Sequence, residues 1–532
     1  MKLPTKALIG SAALSLVMVA GGAAAMPGDA PMALAKLAKV ARVNLRYQSY
    51  NIEIVEITGG RFWAPYGGPA GEMYRQRPPL DMAAPRLRHL AKALAPAYVR
   101  YSGTWSINSY LPAEGEIITA PPAGYKQVLT RDQWRGAVAF SRAVGAPIVT
   151  SFAASMGTRD AAGVWRSEQA QRLATLTKAA GGTIAAAEFF NEPNILASDM
   201  FAADYGAKEY ARDYSIFHPW ARKALPSMII LGPGGVGEGG MMRGAADHPP
   251  MAGHRFINSK DMMILAKDGF DATAYHHYGA VSPRCGGSKD PSNALSAKWL
   301  GATETEYGFY ADLRDTYAPG KDIWLTETGQ AACGGSPWAS TYRDTFRYLN
   351  QLGFLAQKGV KVVMHNTLAA SDYGLVDYDT MMPRPNYWAA VLWARLMGPV
   401  VLASPQTGLA DTRIYAHCLS RGLGLRSGLG LRSGLGLRGK SGGVALLALN
   451  LGMADQVITP GKGASAYVVT AKTLDDRVVS INGENPSMAD DGRISGVNAK
   501  PVGARGTVTL PAQSVTFVAV PNAGNRACGG KG

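Results

Sequence analysis

A chain of 532 residues, 47% hydrophobic and 17% charged, is ample for a large core plus a second domain. Its formal net charge of +15 suits anionic partners, acidic polysaccharides among them, although a merely basic surface is an equal reading. The sequence has no recognition-helix, zinc-finger or stacking-strand signature and no His or Cys spacing of a metal site, so no nucleic acid, metal or cofactor is expected.

At the N-terminus, Lys2 and Lys6 precede an apolar run from Ala7 to Ala20, and Ala23-Ala24-Ala25 supplies small residues for cleavage. Residues 1–25 therefore read as a secretory signal peptide, since the run is too short and Gly-rich to span a membrane comfortably. The mature protein is expected to be secreted or periplasmic, monomeric, and free of stable membrane insertion. Four cysteines follow: Cys285, Cys333, Cys418 and Cys528. An oxidising compartment favours two bridges, and the count alone leaves three pairings open.

From Tyr47 to Met397 short apolar runs alternate with longer helical patterns. Strands are predicted near Tyr47–Thr58, Ala97–Thr104, Pro147–Ser155, Ala185–Asn191, Met228–Gly232, Ala272–Tyr278, Asp322–Glu327 and Val360–Thr367. Between them, apolar residues at helical spacing predict helices such as Pro85–Leu94, Asp132–Val144, Ser167–Ala180, Ala203–Lys223, Ser340–Lys358 and Asn386–Leu396. Eight strand–helix units predict an α/β fold, a (β/α)8 TIM barrel, over residues 36–398. A doubly wound open sheet is the alternative, but no Gly-rich nucleotide loop follows the first strand.

Beyond Pro399 short alternating segments separated by Gly, Asn, Asp and Pro turns predict a β-sandwich domain over residues 399–532. Residues 36–46 are placed to add an edge strand to it. A Gly/Leu/Arg pattern repeats from Arg421 to Arg438, within a low-complexity insertion at 421–443. We read it as an expanded hairpin loop rather than a polyanion-binding arm, because closely repeated glycine disfavours regular structure.

Two of the predicted barrel strands end in a carboxylate. The fourth runs into Asn191-Glu192-Pro193, where Pro193 cannot extend a ladder, and the seventh ends at Glu327 before a glycine turn. Barrel enzymes keep their chemistry at that end of the strands, and two carboxylates there are what a retaining glycosidase needs. On one side of the sixth strand lie His276 and Tyr278, with His277 on the other.

With both glutamates placed, the sequence resembles the heparanase and β-glucuronidase family of retaining glycoside hydrolases, family 79. The likeness is carried by Ala97–Thr104, Phe190-Asn191-Glu192-Pro193-Asn194, His276-His277-Tyr278, Trp324–Thr328 with Cys333-Gly334-Gly335, Asp372–Asp377 and Asn386-Tyr387-Trp388. It implies Glu192 as acid/base and Glu327 as nucleophile, acting on an acidic polysaccharide or β-glucuronide. Asn191, His276, Tyr278 and Glu53 are implied to contact the sugar, with Glu56 a competing alignment for Glu53. The resemblance also implies a Cys418–Cys528 bridge tying the second domain; Cys285–Cys333 is then expected to tie the loops after strands six and seven. Between Thr104 and Pro147 there is no room for the long excised linker of the mammalian members, so a single-chain, bacterial-type enzyme is expected. No arginine stands beside Glu327 in the sequence. The resemblance therefore gives the uronate carboxylate to the Tyr373 hydroxyl and to backbone N–H groups of the turn at Gly334 and Gly335. Two rivals remain at this stage: a non-catalytic glycan-binding barrel and a retaining glycosidase for a neutral sugar.

Overall fold

The computed structural model describes residues 30–69, 71–245, 253–420 and 442–529. The signal-peptide reading of residues 1–25 and the Arg421–Arg438 repeat lie outside the described residues. Eight parallel strands close into a barrel in chain order: Gln48–Glu53, Val99–Ser102, Ile148–Ser151, Ile184–Glu188, Ile229–Val236, Ala272–Tyr278, Asp322–Gly329 and Val363–His365. Closure is made by the eighth strand pairing with the first, Val363 opposite Gln48. The helices that follow the strands include Pro85–Ala93, Arg131–Val144, Glu168–Ala179, Ala207–Ala224, Ala297–Tyr317, Tyr342–Gln357 and Pro385–Leu396.

Several strand ends differ from expectation, and two of them bear on the site. The first strand stops at Glu53, and Ile54–Thr58 turns into a short helix whose Glu56 carboxylate accepts the Glu53 N–H at 2.7 Å. A local bond from a side chain three residues on has overridden a β-prone Ile-Val pair. The fourth strand stops at Glu188 rather than near Glu192, which sits in the turn beyond it with φ 45°.

Strand alternation sorts the barrel interior into layers. Tyr98, Val149, Ala186, Leu231, Ala274, Trp324 and Met364 form a closed apolar layer inside it. Two residues further along their strands, toward the carboxyl end, come Arg100, Glu188 and His276. The apolar layer is thus a floor on which charged side chains stand.

The second region is one antiparallel sheet ordered Lys39–Arg42, Met397–Leu402, Thr412–Leu419, Val444–Asn450, Ser514–Val520, Ser465–Thr470 and Ser480–Ile481. Lys39–Arg42 is its edge strand, contributed from ahead of the barrel. One face, with Ile414, Leu446 and Val518, packs on a short strand pair, Gln456–Ile458 and Val508–Leu510. The other face, with Tyr415, Leu447 and Phe517, belongs to the same apolar core as the barrel helices. The Tyr342–Gln357 helix, which follows the strand bearing Glu327, is tied to this sheet by several hydrogen bonds. Tyr342 donates to Val469 O and Tyr415 donates to Asn350 Oδ1, each at 2.7 Å. Cys418 is bonded to Cys528 within this region, and Cys285 to Cys333 above the barrel. Among the described residues no helix is long and apolar enough to cross a membrane.

Candidate active site

The carboxyl ends of the barrel strands converge on one hydrogen-bonded cluster. Arg100, from the second strand, donates from Nη1 to Glu327 Oε2 at 2.7 Å. Its Nη2 donates to Glu188 Oε2 at 2.7 Å and to Asn191 Oδ1 at 2.8 Å. His276 places Nδ1 3.0 Å from Glu192 Oε1 and 3.8 Å from Glu327 Oε2, while its Nε2 lies 3.3 Å from Glu188 Oε1. The Tyr278 hydroxyl donates to Glu327 Oε1 at 2.7 Å. Glu327 is therefore held on both oxygens, one by a cation and one by a phenol.

A second hydrogen-bonded group stands beside the nucleophile. Asn366 Nδ2 donates to Glu53 Oε1 (3.1 Å), Tyr278 OH (3.0 Å) and Tyr373 OH (3.2 Å). Glu53 takes the cavity-facing position, whereas Glu56 accepts backbone N–H groups of Glu53 and Ala370. Gly103, at φ 93°, has no room for a side chain, since a Cβ there would lie 2.5 Å from Glu53 Oε2. His277 points away, with Nε2 3.3 Å from Thr303 Oγ1.

The glycine turn after the seventh strand is clamped from outside. Arg284 pairs with Asp372 at 2.5 Å, donates to Gly335 O at 2.9 Å and lies over the Tyr66 ring at 3.8 Å. Trp63 packs so closely on Gly334 (φ 80°) that a Cβ there would lie 2.7 Å from its ring. The N–H of Gly335 donates to Ala331 O at 3.1 Å. It is engaged within the turn and is not free to meet a ligand as expected.

Burial dominates the proton affinities and charged neighbours decide their signs. Glu192, half-open to solvent on one side with 17% of its side chain exposed, is pushed up by burial and by the Glu327 charge, against the pull of His276. Glu327 would also be raised by burial, but the charges of His276 and Arg100 outweigh it and hold the carboxyl below its usual range. Glu188 follows the same pattern and is held at about 2 by Arg100 and His276. His276 is raised to about 9, because Glu327 and Glu188 outweigh the effect of burial. One carboxyl is shifted toward keeping its proton and its partner toward losing it. This is the division of labour that acid and nucleophile require.

The donor atoms of Glu192, His276 and Glu327 lie within 4.8 Å of one another, close enough to consider a cation. Arg100 and a protonated His276 already supply two positive charges among these carboxylates, so the set reads as proton-transfer machinery.

Known proteins with this architecture narrow the reading. No family model matches the chain. Mouse heparanase (Mus musculus) is 26% identical over 503 residues, spanning 84% of this chain and 88% of that protein. Baicalin-β-D-glucuronidase of Scutellaria baicalensis is 33% identical over 184 residues, 33% of this chain and 31% of that protein. The likeness to heparanase runs along most of the chain. A 4-O-α-L-rhamnosyl-β-D-glucuronidase from Fusarium oxysporum shares the fold of this chain, with a TM-score of 0.60 at 14% identity. That match covers 93% of this chain and 99% of the Fusarium chain.

Three members of the cluster escaped the sequence reading. Arg100 brings a guanidinium to the nucleophile from 227 residues away along the chain, a distance that hid it from a reading of the residues around Glu327. Its signal was present: a lone arginine in the apolar stretch Ala97–Thr104, two residues past an inward Tyr98. Glu188 stood within the acid motif as an acidic residue in an otherwise apolar strand. Asn366, beyond the eighth strand, offered no comparable signal.

Proposed function

We propose that this heparanase homologue is an exported, monomeric, retaining β-glucuronidase acting on β-glucuronosyl linkages of acidic glycans or smaller β-glucuronides. One observation carries the mechanism: single oxygens of Glu192 and Glu327 lie within 4.8 Å, with opposite proton affinities. That spacing suits the retaining geometry, where carboxyls stand about 5–5.5 Å apart, and is too short for the water an inverting enzyme places between them. Glu327 attacks the anomeric carbon, and Glu192 protonates the departing oxygen and then deprotonates the incoming water. Export is supported by two disulfides, which persist in oxidising compartments.

The uronate assignment rests on Tyr373 and Gly334. Tyr373 accepts from Asn366, so its own proton is available to a ligand, and burial pushes the phenol well above its ordinary value. It lies against Tyr278, whose hydroxyl touches the nucleophile, with ring centroids 6.1 Å apart. The +15 charge of the chain favours the approach of an acidic glycan.

Hydrolysis of paired aryl β-glycosides tests this reading. Wild type should prefer the glucuronide over the glucoside by orders of magnitude, because a site built for a polar group rejects the analogue without it. Tyr373→Phe should lower glucuronide turnover about 10- to 100-fold, the size of one hydrogen bond to a charged group, and leave residual glucoside turnover unchanged. Comparable wild-type rates on the two glycosides would assign a neutral sugar instead.

A further inference from the structure

One buried anion in the barrel mouth has no part in the two-carboxylate chemistry. Glu188 is 0% exposed, so no sugar reaches it, yet both of its oxygens are committed to the catalytic cluster. Oε2 accepts from Arg100 Nη2 at 2.7 Å. Oε1 lies 2.5 Å from Thr326 Oγ1 and 3.3 Å from His276 Nε2. His276 in turn has a carboxylate at each ring nitrogen: Glu188 at Nε2, and Glu192 and Glu327 at Nδ1. The remaining charged group facing it is Arg100, with Nη2 3.2 Å from Nε2. A neutral ring protonated at Nδ1 could accept from Arg100 at Nε2, but the same lone pair would also face Glu188 Oε1. Only the doubly protonated ring donates on both sides.

We propose that Glu188 is a positioning residue for the acid, fixing His276 as an imidazolium whose Nδ1–H stands against Glu192 with Glu327 close by. The charge balance of the reaction requires such a group. In the first step a Glu327 oxygen forms a bond to the anomeric carbon while the carbon–oxygen bond to the leaving group breaks. The bonding pair goes to the leaving oxygen, which takes the Glu192 proton. Glu327 becomes a neutral ester and Glu192 a carboxylate, so one negative charge moves across the cavity. His276 Nδ1 is within reach of both sites, at 3.8 Å and 3.0 Å, and Glu188 keeps its charge in place throughout. Arg100 does not substitute, because its Nη1 is aimed at Glu327 and its Nη2 at Glu188 and Asn191. Without Glu188, burial works against the imidazolium with Glu327 and the Glu192 hydrogen bond left to oppose it, and His276 becomes neutral at a lower pH.

This inference rests on Glu192 being the acid, and the test separates the two. Nitrogen-15 NMR of histidine-labelled wild type should show both His276 ring nitrogens protonated at pH 7.5, and E188Q should show a single neutral tautomer. In kinetics, E188Q should lose about 10²-fold in kcat on an aryl glucuronide with a poor leaving group, within the range general acid catalysis contributes. It should lose under about 3-fold on a dinitrophenyl glucuronide, whose departure needs no proton, with KM nearly unchanged on both. Glu188→Asp, which keeps the anion, should recover much of the loss and guards against a glutamine variant that fails to fold. A neutral His276 in wild type, or equal losses of E188Q on the two leaving groups, would overturn the role of Glu188. Wild type lacking any leaving-group response to Glu192→Gln would overturn the acid assignment itself.

Discussion

Glu327→Gln abolishes turnover, with kcat falling on the order of 10⁴- to 10⁶-fold, the loss seen when a covalent catalyst's nucleophile is removed. An amide is a poor nucleophile, and it also lacks the charge that Arg100 and His276 are arranged around. Glutamine is close in shape, so Tyr278 retains a partner and substrate binding should survive. Glu192→Gln gives a different pattern from the same cavity. Its loss should be large for a poor leaving group and small for dinitrophenolate, since only the former needs the proton. Steady-state kinetics of both variants on a leaving-group series separates the two roles. Equal losses across the series for Glu192→Gln would remove it as the acid.

Arg100→Met should damage both activity and the fold. Wild-type Arg100 is buried between Glu188 and Glu327, and removing one partner of a buried ion pair costs about 3–5 kcal/mol because the remaining charge is stranded. The sign of the pH dependence follows. In wild type Glu188 is held at about 2, below its ordinary value, so its contribution is present above the unfolded pKa and is lost as pH falls toward 2. In the variant the largest remaining influence is burial, which raises carboxyl pKa values. The stability deficit should then be small at acid pH, where both carboxyls are protonated in folded and unfolded chains, and should grow as pH rises through the raised folded values. Thermal denaturation at pH 4.5 and 7.5 measures this. A deficit that is larger at pH 4.5 would show that Arg100 does not neutralise the buried glutamates.

The sequence made the barrel legible because each strand is a short apolar run bounded by helical patterns, and all eight predicted strands overlap strands of the barrel. The strand ends were less legible. At Glu53 a helix turn begins where Ile54-Val55 favoured more strand, and at Glu188 the chain leaves the sheet before reaching Glu192. The Ala297–Tyr317 helix did not stand out, since Trp299, Leu300, Tyr307, Phe309 and Tyr310 are spread around it rather than set in one stripe. The strand Met397–Leu402 was hidden by its position, directly after a helix ending at Leu396.

At the site, residues carried by short motifs could be named from the chain: Glu192, Glu327, His276 and Tyr278 all enter the cluster. Groups whose meaning depends on the barrel closing could not be weighed. Arg100 and Glu188 come from neighbouring inward positions on the second and fourth strands, and nothing in their own segments says which charges lie opposite. The Gly334-Gly335 turn was visible as a turn, but the engagement of one N–H with Ala331 depends on its folded shape.

The stereochemistry of the first product tests the two-carboxylate account most directly. Proton NMR of an aryl β-glucuronide digest, recorded before mutarotation, should show β-glucuronic acid appearing first, as two displacements at one carbon demand. Initial release of the α-anomer would mean a single displacement by water and would contradict the assignment of Glu327 as nucleophile.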